Sequence, residues 1–265
     1  MNAYVISLDS TRHERADPTC QHFSKARRLD RVFMYPAVTP EDFELDEVTH
    51  PFARATIRQG LFQKETNKNQ HETRSRDTTM QLSHETQVAC ALSHISLWNL
   101  CKELGEPIIV AEDDSRPNNL DTRLGYLKSD PAMDDADMVL LQCASFPFSS
   151  EAVDKSLLRR VTDYWGATCY YLTPEGAEVL LEHALPITMH IDCYMSYCIT
   201  GSGLQVFSVP NANDQSVLSP STLMHQSIWG VRVVRLQFYI AALGVLLVVM
   251  IVSLIWVACK KGAKK

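Results

Sequence analysis

The chain has 265 residues, of which 46% are hydrophobic, and a formal net charge of −6 at pH 7. This length allows one or two compact domains, and the acidic balance argues against general nucleic-acid binding. The eight cysteines show no Cys-x-x-Cys spacing, so we expect mostly free thiols.

The N-terminal segment reads as a first strand, Tyr4–Leu8, followed by a polar turn and a helix near residues 18–28. It lacks the basic start of a secretory signal. No glycine-rich phosphate-binding motif follows the strand. Arg12 or Arg15 in the turn is therefore the candidate phosphate contact, and a plain surface arginine at a helix start is an equally good interpretation.

A second strand is predicted over residues 31–38, closed by Pro36. The following segment, residues 41–83, is polar, charge-mixed and weakly periodic. A segment of this length without secondary structure inside a compact domain is typical of a lid or an insertion. We therefore predict a mobile insertion here.

Apolar residues at helical spacing then predict a helix from an N-cap at Ser83 to a stop at Gly105. The helix contains Ser93 and His94. A histidine in such a position is more often a packing residue than a catalyst, so this pattern leaves both interpretations open.

A short apolar run, Ile108–Ala111, ends in the acidic run Glu112-Asp113-Asp114. This is the pattern of a buried strand that brings acidic groups to its carboxyl end, where α/β folds place their chemistry. Alternation along a strand would point Glu112 and Asp114 to one side and Asp113 to the other. Oxygen ligands with no neighbouring Cys or His suit Mg²⁺ or Mn²⁺ better than Zn²⁺. Taken alone, the acidic run is more often a solvated turn.

The remaining pattern continues the alternation of strands and helices. We predict three further helices, over residues 120–128, from an N-cap at Thr173 to Ala184, and around residues 193–198. We predict strands over residues 138–141, 167–172 and 203–209, and irregular structure over residues 143–163. Asp192 precedes the last of these helices, where an aspartate is more often an N-cap than a base.

Residues 236–257 carry no charge and would span roughly 33 Å as a helix, which matches a bilayer core. Aromatic residues near both ends and basic residues beyond them support a single-pass C-terminal transmembrane helix. Residues 217–235 would form a juxtamembrane linker and 258–265 a basic tail. The absence of a signal places the large domain in the cytosol, whereas the four lysines after the helix favour the opposite, lumenal orientation.

These motifs, in this order, resemble glycosyltransferase family 25, which contains lipooligosaccharide and procollagen galactosyltransferases. The resemblance covers roughly residues 3–216, within one predicted domain of residues 1–216. Its matching parts are Val5–Asp9 with nearby arginines, Phe33 to Val38, Cys90–Trp98, the acidic run, and Trp165 to Ala177.

The resemblance implies a GT-A-like, Rossmann-type α/β sheet flanked by helices, a UDP-sugar donor and a Mn²⁺ (or Mg²⁺) cofactor. It implies Glu112 and Asp114 as metal ligands, Asp113 and Asp192 as catalytic groups, and a glycan, glycolipid or glycoprotein as acceptor, with no nucleic-acid partner. The donor-binding residues that it implies are Ser7, Asp9, Arg12, Arg15, Ser93, His94 and Asp113.

The function expected from these features is a membrane-anchored, metal-dependent transfer of a hexose, galactose or glucose, from a UDP-sugar, as in lipopolysaccharide biosynthesis. One departure supports an alternative. The family's Gly-Glu-x-Gly-Cys run is replaced by Thr86-Gln87-Val88-Ala89-Cys90, so a degenerate transferase domain that acts as a membrane-tethered binding module stays open. A metal-dependent phosphodiesterase is a weaker alternative, because a second cluster of metal ligands is not evident.

Overall fold

The computed structural model describes residues 1–66, 82, 84–143, 148–166 and 168–213, and for 59–66 only the backbone. All of them belong to one compact unit. Within this described part, no helix is both long and apolar enough to cross a membrane. The predicted linker, transmembrane helix and basic tail, residues 217–265, lie outside the described residues.

The described chain alternates strands with helices, and it also contains three short 3₁₀ turns. The strands are β1 (Asn2–Ser7), β2 (Arg31–Pro36), β3 (Ile108–Ala111), β4 (Met138–Gln142), β5 (Phe148–Ala152), β6 (Arg159–Tyr164), β7 (Cys169–Leu172) and β8 (Val206–Ser208). The helices are α1 (Ala16–Ser24), α2 (Leu45–Val48), α3 (Pro51–Thr66), α4 (Glu85–Leu104), α5 (Leu120–Ser129), α6 (Pro174–Leu181) and α7 (Ile191–Gly201).

The eight strands form one mixed sheet in the order β2-β1-β3-β7-β4-β8-β6-β5. β1 runs parallel to both β2 and β3, and β7 lies antiparallel between β3 and β4. Every residue of β3, β4 and β8 is buried, as expected for strands covered on both faces. The described part is thus a mixed α/β sheet flanked by helices, which is compatible with a Rossmann-like fold.

The parallel pairing of β1 and β3 positions the candidate site. Val5 of β1 is in register with Ala111, the last residue of β3. The segments that follow these two strands therefore leave the sheet at the same edge. One carries the N-terminal arginines and the other carries the acidic run.

The long helix α4 confirms the helix that the spacing of apolar residues predicts. His84, one residue after the predicted Ser83, is the N-cap, and its ring accepts a hydrogen bond from the amide of Thr86. The Gln87 side chain accepts the amide of His84 and completes a capping box. Gly105 ends the helix in the left-handed conformation, with φ 63°.

Two sequence predictions of irregular structure were wrong in the described residues. The first part of the predicted insertion forms α2 and α3, and Ala53 and Ile57 of α3 are buried in the core. Residues 148–164 form the β5–β6 hairpin at the sheet edge. Most side chains of this hairpin are exposed or half-buried, so it shows no apolar alternation in the sequence. The prediction of mobility concerns residues 67–81 as well, which lie outside the described part.

Replacing Gly176 by alanine should destabilise the fold. A Cβ at this position of α6 would lie 2.5 Å from the carbonyl oxygen of Asp137, a main-chain atom that also accepts the amide of Thr173 at the helix start. We expect a loss of about 1–3 kcal/mol in urea unfolding of the full-length protein, the usual range for overpacking.

Gly125→Ala in α5 is the matched control. Its Cβ would meet only the flexible side chain of Arg28, at 3.7 Å. This change should be neutral or stabilise by up to about 1 kcal/mol, because alanine is the better helix former. Equal stability of the two variants would contradict the close approach at Gly176.

Candidate active site

The acidic turn, residues 112–114, follows directly from the end of β3 at Ala111. The amide of Glu112 donates to the carbonyl of Thr168 at 2.8 Å, and its carbonyl accepts the amide of Ser115 at 3.0 Å. Because the strand ends before the acidic residues, strand alternation does not decide where they point. The prediction that the side chains of Asp113 and Asp114 point to opposite sides is wrong, because the same guanidinium contacts both carboxylates.

That guanidinium belongs to Arg15, at the N-terminus of α1. One of its terminal nitrogens lies 2.7 Å from Oδ1 of Asp113 and 2.9 Å from Oδ2 of Asp114. Thr19, one turn further along α1, donates its hydroxyl to the carbonyl of Asp113. The start of α1 is thereby fixed to the acidic turn by a side-chain ion pair and by a hydrogen bond from a side chain of α1 to the main chain of the turn.

On its other side, the acidic turn faces α4. Nε2 of His94 lies 3.7 Å from Oε1 of Glu112. Nδ1 of the same ring is 2.8 Å from the hydroxyl of Tyr170, which also accepts the indole N–H of Trp98 at 2.9 Å. His94 is almost fully buried, at 1% exposure, so these contacts fix its ring.

The electrostatics of the turn show a shortage of positive charge. Burial raises the pKa of Glu112 to about 8, the negative charges of Asp114 and Asp113 add to this rise, and Arg15 opposes it. Burial also raises the pKa of Asp113, against the opposing effect of Arg15. One guanidinium therefore does not balance three neighbouring carboxylates.

Asp192 lies in the first turn of α7, two residues after the helix N-cap, which is His190. The expectation that such an aspartate is an N-cap is therefore wrong. Burial raises the pKa of Cys90, and the negative charges of Glu112 and Asp192 add to this rise. The charge of Asp192 also opposes the burial that lowers the pKa of His94 to about 4. Asp192 thus acts electrostatically on the α4 side of the same site.

The other predicted donor-binding residues are less closely connected to the turn. Arg12 lies 3.5 Å from Asp17 and is half exposed, and Asp9 is exposed. The hydroxyl of Ser93 accepts the amide of Val38 and donates to the carbonyl of Ala89, a bridge between two segments. Ser7 is buried at the end of β1.

The partners of His94 were not predicted from the sequence. Cys90, His94 and Trp98 are spaced four residues apart on α4, and this spacing could have indicated a shared face. Tyr170 comes from β7, and the contact depends on β7 lying next to β3. A Cys and a His are therefore close to Glu112 in space, although neither is close to it in sequence.

The model of glycosyltransferase family 25, described as an LPS biosynthesis protein, matches residues 1–195. The chain belongs to glycosyltransferase family 25. Membership supports glycosyltransferase activity, with a sugar donor and a glycan acceptor. A comparison with curated proteins found no match.

Within the family 25 domain, two of the three departures from the usual run before the Ser-His pair, Gln87 and Ala89, occupy structural positions. Gln87 is buried and caps the start of α4 with its side-chain oxygen, which a glutamate carboxylate could also do. Ala89 is buried, and its carbonyl accepts the hydroxyl of Ser93. Neither change removes a group from the acidic turn.

The free energy of unfolding of the metal-free protein should decrease as the pH is raised from 6.5 to 8. The pKa of Glu112 is about 8 in the fold and 4.5 as a free side chain, so here the folded protein retains a proton that the unfolded chain has released. The free energy of unfolding then decreases as the pH rises, by at most about 1.4 kcal/mol per pH unit. Burial lowers the pKa values of His94 and His190 from 6.5 to about 4. These two groups make the free energy of unfolding increase with pH, but mainly below pH 6.5, where the unfolded chain binds their protons and the folded protein does not.

Urea unfolding in the presence of a chelator, at several pH values, measures this slope. Glu112→Gln should make the curve nearly flat in the same window, because the amide does not titrate. If the variant retained the full decrease, the proton would belong to another group.

Proposed function

We propose that this family 25 chain transfers a hexose, galactose or glucose, from a UDP-sugar to a hydroxyl of a glycan, lipid-linked sugar or protein. The observation that carries the proposal is the acidic turn, where three carboxylates are neighbours and one guanidinium pairs with two of them, after the end of β3 in the mixed α/β sheet. The carboxyl ends of strands are where open α/β folds bind nucleotide ligands.

The residues of the acidic turn fit a divalent cation. Their oxygen atoms are hard ligands, and Arg15 leaves the cluster with excess negative charge, as the raised pKa of Glu112 indicates. Glu112 and Asp114 would hold Mn²⁺ or Mg²⁺. When bound, the cation would neutralise charge on the leaving diphosphate.

The protein's own groups would act on either side of this site. Asp113, held by Arg15, would contact the ribose or the sugar of the donor. Asp192 would accept the proton of the acceptor hydroxyl as its oxygen attacks the anomeric carbon. The bond from that carbon to the diphosphate oxygen breaks, and UDP leaves with the electron pair. Burial lowers the pKa of His94 to about 4, so the ring is neutral at physiological pH and adds no positive charge beside Glu112.

The hydrophobic segment 236–257 supports a single-pass membrane anchor as part of this proposal. An anchor would hold the active site near a lipid-linked or membrane-bound acceptor. The catalytic domain would lie on the cytosolic or the lumenal side of the membrane, and the lysines that follow the segment favour the lumenal side. Protease protection of the full-length protein in sealed membrane vesicles decides between the two orientations.

The experiment that tests the proposed reaction measures UDP release by the full-length protein from a panel of UDP-hexoses, with Mn²⁺ or Mg²⁺ and with a chelator. We expect cation-dependent release with one UDP-hexose, increased by an acceptor glycan. Saturable UDP-sugar binding without any release would contradict catalysis and favour the degenerate binding module that the changes at Gln87 and Ala89 suggest.

A further inference from the structure

Three different ligand types meet between α4 and the acidic turn. Sγ of Cys90, a ring nitrogen of His94 and a carboxylate oxygen of Glu112 all lie within 4.8 Å of one another. Cys90 and His94 are four residues apart on α4, so they lie on one face of the helix. A thiol, an imidazole and a carboxylate form the mixed ligand set of many zinc sites.

The imidazole of His94 has one nitrogen available for a metal and the other held in place. Its Nε2 is buried and has no hydrogen-bond partner among the described residues, although buried polar atoms are normally paired. Its Nδ1 is held by the Tyr170 hydroxyl at 2.8 Å. A histidine that ligates a metal usually has its second nitrogen fixed in this way, which sets the orientation of the ring.

The spacing also suits a bridging cation better than a direct contact. The 3.7 Å between Nε2 of His94 and Oε1 of Glu112 is too long for a hydrogen bond. Two ligands about 2.0–2.1 Å from a tetrahedral zinc ion are separated by roughly 3.4 Å. A cation can reach these ligands from solvent, because the Glu112 side chain is 30% exposed and Cys90 is half-buried.

We propose that Cys90, His94 and Glu112 form a binding site for a thiophilic divalent cation, with Zn²⁺ as the expected ion. Sulfur and imidazole ligands select zinc over manganese and magnesium. The Cys90 thiol releases its proton to solvent as the sulfur binds the metal. Three protein ligands leave a fourth tetrahedral position for water or another small ligand.

Glu112 is common to this site and to the proposed Mn²⁺ site. Zinc bound by Cys90 and His94 should therefore reduce cation-dependent sugar transfer, a consequence that rests on the proposed function. The binding itself does not depend on it. Zinc binding without inhibition would contradict only the sharing of Glu112.

Binding is tested with Co²⁺ as a spectroscopic probe on the reduced, full-length protein. We expect a sulfur-to-cobalt charge-transfer band in the near ultraviolet that saturates at one equivalent and is abolished by Zn²⁺. Cys90→Ser should eliminate the band, whereas Cys20→Ser, which removes another half-buried thiol, should leave it unchanged. Tyr170→Phe retains all three ligands and should weaken cobalt affinity roughly 10- to 100-fold through the loss of the hydrogen bond to Nδ1.

Urea unfolding of each variant confirms that it is folded before titration. A wild-type protein without the band, or a Cys90→Ser variant that retains it, would overturn the site. Both outcomes are independent of catalytic activity. A protein that binds cobalt but releases no UDP would therefore contradict the transferase proposal and leave the zinc site intact.

Discussion

Replacing Asp114 by asparagine should lower cation-dependent UDP release roughly 100-fold or more, which corresponds to about 3 kcal/mol of transition-state stabilisation. The change removes one negative charge from the acidic turn and one of the two proposed metal ligands. It keeps the size of the side chain, and the amide oxygen can still accept the hydrogen bond from Arg15. The loss should appear mainly in kcat, because stabilisation of the leaving diphosphate acts in the transition state.

Steady-state kinetics of the full-length protein over a range of Mn²⁺ concentrations measure this effect. Asp135→Asn removes the same charge from an exposed position after the 3₁₀ turn that precedes β4, and it should behave like the wild type. Wild-type turnover by Asp114→Asn would exclude Asp114 as a metal ligand.

Replacing Arg15 by glutamine should reduce donor turnover roughly 10- to 100-fold, in line with the loss of charge-assisted hydrogen bonds. Arg15 contacts Asp113 at 2.7 Å and Asp114 at 2.9 Å, and these two carboxylates are only 11% and 16% exposed. Without the guanidinium, the two carboxylates repel each other and lose their fixed orientation. The pKa of Asp113, which burial raises and Arg15 lowers, should rise further as a consequence.

The kinetic constants kcat and KM for the UDP-sugar separate positioning from binding in this variant. Arg15→Lys should retain part of the activity, because it keeps the charge but loses the planar fork. Arg27→Gln removes an exposed arginine just beyond α1 and should have no effect. If Arg15→Gln and Arg27→Gln were equally active, the ion pair would have no part in catalysis.

The order of the main elements was predictable because their patterns are strong. The apolar residues of α4 recur at helical spacing over 20 residues, and the continuous apolar run of β3 is typical of a strand buried on both faces. Strands at the sheet edge were harder to predict. The β5–β6 hairpin has mainly exposed or half-buried side chains, so burial leaves little pattern in its sequence.

The site was predictable in its acidic residues but not in its contacts. The acidic run and Arg15 stand out individually, yet their pairing depends on β1 and β3 being neighbours and on Thr19 fixing α1 to the turn. Whether Glu112 and Asp114 bind a metal stays a prediction. The orientation of Asp113 could not be predicted, because it depends on the residue at which β3 ends.

The most direct test of the acidic turn is Mn²⁺ binding by the full-length protein in the presence of UDP, measured by electron paramagnetic resonance of the free ion. We expect saturable binding by the wild type and by Asp135→Asn, and its loss in Asp114→Asn. Equal Mn²⁺ binding by the wild type and Asp114→Asn would show that the acidic turn is not the metal site of this glycosyltransferase.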